Sequence, residues 1–229
     1  MGGALEMRDN HQMSDVDEAA PTRPARSYMP PFHVLPGFLT PAEAAQLLAH
    51  AAAKEAAFAA TEVGVAGRGR VDPSFRVSRG CRDLGEAGPL LEQRLRAIAP
   101  ELTAELKVTP FEVSGVELQL VAHGDGAFYR RHIDTQTAAD VQHIRALSGV
   151  YYAHREPKGF AGGALRLYAI GDERRFVDVE PVHNALVVFP AWAPHEVMPV
   201  SCPSGAFTDS RFAVNCWLCK RSGAGEGEG

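Results

Sequence analysis

The stretch Phe128-Tyr129-Arg130-Arg131-His132-Ile133-Asp134 decides how the chain is read. Successive side chains on a β-strand alternate between faces, so His132 and Asp134 point one way while Ile133 points the other. An imidazole beside a carboxylate supplies two adjacent corners of a metal site. His195 is the candidate for a third. It stands in Pro194-His195-Glu196-Val197, after the β-rich run His183-Asn184-Ala185-Leu186-Val187-Val188-Phe189-Pro190, and a later antiparallel strand could carry it back beside the first pair. Three such ligands form a facial set that leaves the opposite coordination positions open.

Composition sets the frame for that site. The chain has 229 residues, 45% hydrophobic and 22% charged, enough for one domain with a substantial core. A net charge of −5 argues against a protein built to grip nucleic acid or an anionic membrane. No apolar run approaches a membrane span, and Met1-Gly2-Gly3-Ala4-Leu5-Glu6 has neither a basic nor an apolar leader region, so a cytoplasmic setting is expected. Glu6 also stands where a myristoylation signal needs Ser or Thr. Cys81 and Cys202 are isolated, and Cys216-x-x-Cys219 lacks the second pair of a zinc ribbon, so all four cysteines read as reduced packing residues.

Residues 1–27 mix charges, Met and Pro without period and read as a disordered tail. Residues 28–110 form a helical support region of the same domain. Within it, Pro31 to Leu35 reads as a short strand. Thr40-Pro41-Ala42-Glu43 announces a helix through a cap, a first-turn proline and a capping-box glutamate. A second helix is expected over about Pro89 to Leu106, with Pro100 marking a kink or break. Between them Val63 to Asp72 reads as a mobile loop; with Arg68, Arg70, Arg76 and Arg79, the segment Val63 to Arg79 is a candidate for closing over a substrate. From Phe111 the apolar period becomes two, predicting strands over Phe111–Val121, Phe128–Asp134, Arg145–His154, Ala164–Ile170, Arg175–Val179, Asn184–Phe189, His195–Val200 and Ser210–Leu218. Eight strands divided by turn residues predict a mainly β (α+β) fold, a jelly-roll core over residues 111–220, followed by a flexible tail at 221–229.

A lone His-x-Asp arises often by accident, so its surroundings matter. Tyr129, Tyr152, Leu165, Arg211 and Asn215 all fall on predicted strands where inward-facing groups could meet the metal cavity. In Arg211-Phe212-Ala213-Val214-Asn215 the alternation puts Arg211, Ala213 and Asn215 on one face. An inward arginine there would await an anionic ligand, because its planar fork suits bidentate pairing with a carboxylate. The plainer alternative is a solvated arginine that starts an edge strand. Among the other histidines, His123 and His143 are the two that could line an entrance.

The ordered blocks Gly126–Asp134, Gly149–Tyr152, Gly162–Tyr168, Val179–Pro181, His195–Val200 and Arg211–Val214 resemble the Fe(II)/2-oxoglutarate dioxygenases of the prolyl 4-hydroxylase superfamily, above all the branch of hypoxia-type prolyl hydroxylases and their bacterial relatives. The resemblance implies a double-stranded β-helix with His132, Asp134 and His195 as iron ligands. It makes Arg211 the partner of the distal 2-oxoglutarate carboxylate, with Tyr129, Tyr152 and Asn215 around the cosubstrate. It further implies O2 as the oxidant, ascorbate as a candidate reductant, and hydroxylation of a C–H bond with release of succinate and CO2. The substrate would be a prolyl residue of a protein, a free amino acid or a small metabolite. Two rivals remain: a cupin-like metal-binding protein or zinc hydrolase on the same fold, and a partner-binding module with a degenerate site.

Overall fold

The computed structural model describes residues 27–64, 69–135 and 142–222. The tail expected over residues 1–27 lies outside them except for Ser27, as do Arg68 and residues 223–229. In chain order the elements are β1 (His33–Pro36), α1 (Pro41–Ala53), β2 (Ala59–Ala60), β3 (Arg76–Val77), β4 (Arg79–Cys81), α2 (Ala87–Glu105), β5 (Gly115–His123), β6 (Phe128–His132) and β7 (His143–Ala153). They continue with β8 (Ala161–Gly162), β9 (Leu165–Ala169), β10 (Asp172–Val179), β11 (Ala185–Pro190), β12 (His195–Val197), β13 (Val200–Ser201) and β14 (Arg211–Arg221).

Two antiparallel sheets carry the domain. The larger has the order β1-β11-β7-β14-β5-β4-β2 and the smaller β10-β9-β12-β6-β3, with β8 and β13 paired separately. Strict alternation on the central strands separates two cores. Phe212, Val214, Cys216 and Leu218 of β14 join Leu120 of β5 and Leu186 and Val188 of β11 in the cluster beneath the helices. Ala213, Val150, Tyr152, Val187 and Phe189 face the smaller sheet, where Leu165 and Leu167 meet them. A strand buried on both faces reads as a nearly continuous apolar run, which is why β11 is all apolar. The same parity turns Arg211 and Asn215 toward the inter-sheet space.

The helices form for the reasons their sequence suggests. Thr40 Oγ1 accepts from Glu43 N at 3.3 Å, and Glu43 Oε2 accepts from Thr40 N at 2.7 Å, closing the capping box of α1. Arg94 of α2 reaches Glu43 at 2.9 Å and the Phe38 carbonyl at 2.8 Å, tying the two helices together. Pro100 does not end α2, which runs through it from Ala87 to Glu105. A mid-helix proline costs about 3 kcal/mol. The buried stripe Leu91, Leu95, Ala99 and Leu102 offsets this, since each leucine contributes about 1.5–3 kcal/mol.

Other boundaries move for local reasons. β5 begins at Gly115 rather than Phe111, because Phe111 and Val113 pack against the helix-side core while the Val113 carbonyl accepts from Arg96 at 2.8 Å. The strand expected over His195–Val200 divides around Met198-Pro199, where Met198 N donates to Ala164 O. The last strand continues past Leu218, with Lys220 and Arg221 paired to Ile144 and His143 yet exposed. Residues 28–110 also supply β1 to β4, strand edges too short to show a period in the sequence.

Asn184 closes one end of the larger sheet. Its backbone has φ +58, its side chain bonds both the amide and the carbonyl of Leu39 (2.9 and 2.7 Å), and its Oδ1 also accepts from Tyr151 at 2.9 Å. Asn tolerates this left-handed conformation better than other side chains. Asn184→Ala should cost about 2–3 kcal/mol, three hydrogen bonds at about 1 kcal/mol each. Urea unfolding at unchanged m-value would measure it.

Candidate active site

His132, at the end of β6, lies opposite His195, at the start of β12, as a register pair. Asp134 follows two residues after His132, and its amide donates to the Ala191 carbonyl at 2.9 Å, which fixes the chain as it leaves the strand. The three side chains converge: Nε2 of His132 is 3.6 Å from Asp134 Oδ1, and Nε2 of His195 is 3.5 Å from Oδ2. Ligand atoms of all three lie within 4.8 Å of one another.

Hydrogen bonds decide which imidazole nitrogen faces inward. His132 Nδ1 is 2.7 Å from the Arg130 carbonyl, and His195 Nδ1 is 2.9 Å from the Ala193 carbonyl. A carbonyl only accepts, so both Nδ1 atoms carry the proton and both Nε2 lone pairs are left for a metal. Burial, with His195 close by, pushes the His132 imidazolium down to about 3, so the ring is neutral at physiological pH. Burial alone would raise the Asp134 carboxyl; the two histidines and the Ser148 hydroxyl, 2.7 Å from Oδ2, hold it below its ordinary value. Two imidazoles and a carboxylate are the donor set that suits ferrous iron with open positions. Ser148→Ala removes a partner that orients the carboxylate and should weaken Fe(II) binding by about tenfold or more, measured by competition with a chelator.

A cavity of about 710 Å³ opens beside the three ligands, lined also by Tyr129, Leu165, Arg211 and Asn215. Tyr129 stacks on the His132 ring with centroids 3.7 Å apart. Tyr152 lies behind the cavity wall, its ring under the Arg211 guanidinium at 4.9 Å. Arg211 is 1% exposed, and among the described residues no carboxylate pairs with it. Its Nε donates to the Gly163 carbonyl at 2.7 Å. Gly163 has φ +71, and a Cβ there would come within 2.6 Å of Arg211 Cδ, so only glycine lets the arginine pass. The connection from Ser201 to Ser210 is held by its own bonds, Cys202 N to Asp125 at 2.8 Å and Ser204 Oγ to Asp209 at 2.7 Å, and it delivers Arg211 to the inner face.

Among the described residues, four buried side-chain polar atoms lack a partner: Arg211 Nη2, Tyr152 OH, His123 Nε2 and Arg76 Nη2. An unmade bond of this kind costs about 1–3 kcal/mol. The first three belong to Arg211 and to Tyr152 and His123 beside it, and an anion seated there could accept from them. His123 is fully inside rather than at an entrance, whereas His143 lies at the surface against Ser114 Oγ at 2.8 Å. The signal for His123 is its parity on β5, two residues beyond inward-facing Val121.

The arginines of the Val63–Arg79 segment divide. Arg70 is exposed and pairs with Asp72, Arg79 bonds the Glu55 and Phe58 carbonyls, and Arg68 is outside the described residues. Arg76 alone turns inward, 7% exposed and 4.5 Å above the Tyr129 ring. Glu117, Arg145 and Trp217, with the Arg145 guanidinium 3.8 Å over the indole, complete a polar wall that the sequence did not single out. The four cysteines are buried and free, and burial pushes the Cys216 and Cys219 thiols up to about 12.

Two antiparallel sheets thus enclose a two-histidine, one-carboxylate cluster beside a buried arginine that has no carboxylate partner among the described residues. Residues 118–219 match the family model of the 2OG-Fe(II) oxygenase superfamily. Among curated relatives, an uncharacterized PKHD-type hydroxylase of Synechocystis is 41% identical over 139 residues, 58% of this chain and 45% of that one. The match thus spans less than half the length of that relative. Among solved structures, a Pseudomonas putida prolyl-4-hydroxylase is 25% identical with a TM-score of 0.59, covering 83% of this chain and 93% of that one. A prolyl hydroxylase from Trichoplax adhaerens, solved with a hypoxia inducible factor oxygen degradation domain peptide fragment, shares the fold at 20% identity and TM-score 0.61, covering 81% and 82%.

Proposed function

We propose that the protein is an Fe(II)- and 2-oxoglutarate-dependent dioxygenase that hydroxylates a C–H bond of a prolyl residue. The observation that carries this is the pairing of the three converging ligands with a buried guanidinium that has no acidic partner. A zinc hydrolase or a cupin-like binding protein would leave Arg211 buried and uncompensated, at a cost of several kcal/mol.

When bound, iron with 2-oxoglutarate and O2 supplies the oxidising chemistry, giving succinate, CO2 and a hydroxylated product. The chain supplies the rest. His132 Nε2, His195 Nε2 and the Asp134 carboxylate would hold the metal, and Arg211 would grip the distal carboxylate with its planar fork. Tyr129, Tyr152, Leu165 and Asn215 would shape the cosubstrate pocket, where Val150, Leu165 and Val197 supply apolar wall. Arg76, Arg145 and Trp217 offer donors and an aromatic face to the substrate.

A prolyl substrate is suggested by the likeness to the Pseudomonas putida prolyl-4-hydroxylase. No helix among the described residues is long and apolar enough to cross a membrane. The reading includes a cytoplasmic setting and ascorbate as the reductant that keeps iron ferrous. The test is mass spectrometry of proline-containing peptides, free amino acids and small metabolites incubated with Fe(II), 2-oxoglutarate and air. Gain of one oxygen atom by a prolyl residue, matched by succinate, is expected. A metal-loaded protein that consumes no 2-oxoglutarate with any of them, coupled or uncoupled, contradicts the reading.

A further inference from the structure

His123 is a buried histidine whose second nitrogen has nothing to bond. It stands on β5 opposite Arg211 in the β14 register, and its Nδ1 lies 3.4 Å from Arg211 Nη1. A guanidinium nitrogen only donates, so Nδ1 is the acceptor and the proton of a neutral ring sits on Nε2. Burial first, then the charges of Arg211 and Arg76, outweigh a contact with the Arg211 backbone that acts the other way and hold the ring well below its ordinary pKa, which keeps it neutral with a single N–H. Among the described residues that N–H has no hydrogen-bond acceptor, and His123 lines the cavity together with Arg211, whose Nη2 also lacks a partner. A buried donor of fixed tautomer, beside a buried cation with a free nitrogen, is a built half of a hydrogen-bonded anion site.

We infer that His123 is a cosubstrate-binding residue, donating from Nε2–H to an oxygen of the same 2-oxoglutarate anion that Arg211 grips. The inference rests on the proposed function and adds a neutral donor to the charged one. Arg211 provides the attraction, and His123 directs one oxygen of the anion. Because Arg211 also fixes the tautomer of His123, the two residues act as a unit rather than independently.

Three substitutions separate this role from mere support of Arg211. His123→Asn keeps a polar atom near the position of Nδ1 but loses the outer donor. His123→Gln places an amide N–H near the position of Nε2. His123→Phe keeps the ring and loses both. Titration calorimetry of 2-oxoglutarate into the Fe(II)-loaded full chain, without oxygen, gives the affinity directly, and circular dichroism confirms folding of each variant. Phe and Asn should weaken binding roughly ten- to a hundredfold, the worth of one hydrogen bond to a charged group, while Gln recovers most of it. In an Arg211→Ala background the Phe substitution should add less than threefold, by the coupling of the two groups.

Recovery by Asn but not Gln would make His123 a prop for Arg211 and overturn the inference. So would unchanged affinity in His123→Phe. If the wild-type chain binds Fe(II) yet takes up no 2-oxoglutarate, the failure belongs to the proposed function instead.

Discussion

Arg211→Ala should raise the 2-oxoglutarate requirement by roughly two orders of magnitude or more and leave metal binding nearly intact. The guanidinium is buried with no carboxylate beside it among the described residues, so the distal carboxylate of the cosubstrate would be its counter-ion. Removing one member of a buried charge pair costs about 3–5 kcal/mol, and about 1.4 kcal/mol is tenfold in affinity. Metal binding should persist because Arg211 bonds Gly163 and His123 rather than any of the three ligands. Arg211→Lys should recover only part of the loss, since a point charge replaces a planar fork. The distances between these groups predict a selective effect, seen as a changed KM for 2-oxoglutarate at unchanged Fe(II) affinity. Equal KM values in wild type and Arg211→Ala, with loss of affinity on replacing exposed Lys220 or Arg221, would place the carboxylate elsewhere.

Asp134→Ala should abolish turnover and weaken Fe(II) binding by more than the roughly hundredfold typical of losing an outer partner of a ligand. The carboxylate is the one anionic donor of the cluster, and both Nε2 atoms sit about it at 3.5 and 3.6 Å. Without it, the two imidazoles face the cavity and the cluster has no anionic donor to offset a dication. Equilibrium dialysis of the metal, beside succinate production, measures the two losses separately. The effect should also exceed that of Ser148→Ala by at least tenfold, because Ser148 only steadies Asp134 through one hydrogen bond.

Much of the site was legible because it obeys the strand period. His132 and Asp134 are two apart, and Arg211, Ala213 and Asn215 alternate with apolar neighbours, so one rule sets both faces of the inner cavity. His195 was legible only as a third ligand type after a β-rich run, and register with His132 makes the contact. What escaped lay where no period exists. β3 is two residues long, so nothing in the sequence separates inward Arg76 from outward Arg70 and Arg79. His123 was legible as a candidate for an entrance, but its contact with Arg211 was not: Arg211 lies far along the chain, and only the pairing of β5 with β14 brings them together. The helix expected over Pro89 to Leu106 is there, and the break allowed for at Pro100 does not occur because a local penalty of about 3 kcal/mol is smaller than what the buried stripe of α2 contributes.

The central claim is that His132, Asp134, His195 and Arg211 together hold iron and 2-oxoglutarate in one cavity. Visible absorption of the anaerobic protein, titrated first with Fe(II) and then with 2-oxoglutarate, tests it most directly. A charge-transfer band that needs both additions, vanishes in Asp134→Ala and demands far more 2-oxoglutarate in Arg211→Ala is the predicted result. A wild-type protein that binds Fe(II) or Zn(II) tightly but develops no such band at any 2-oxoglutarate concentration would contradict it.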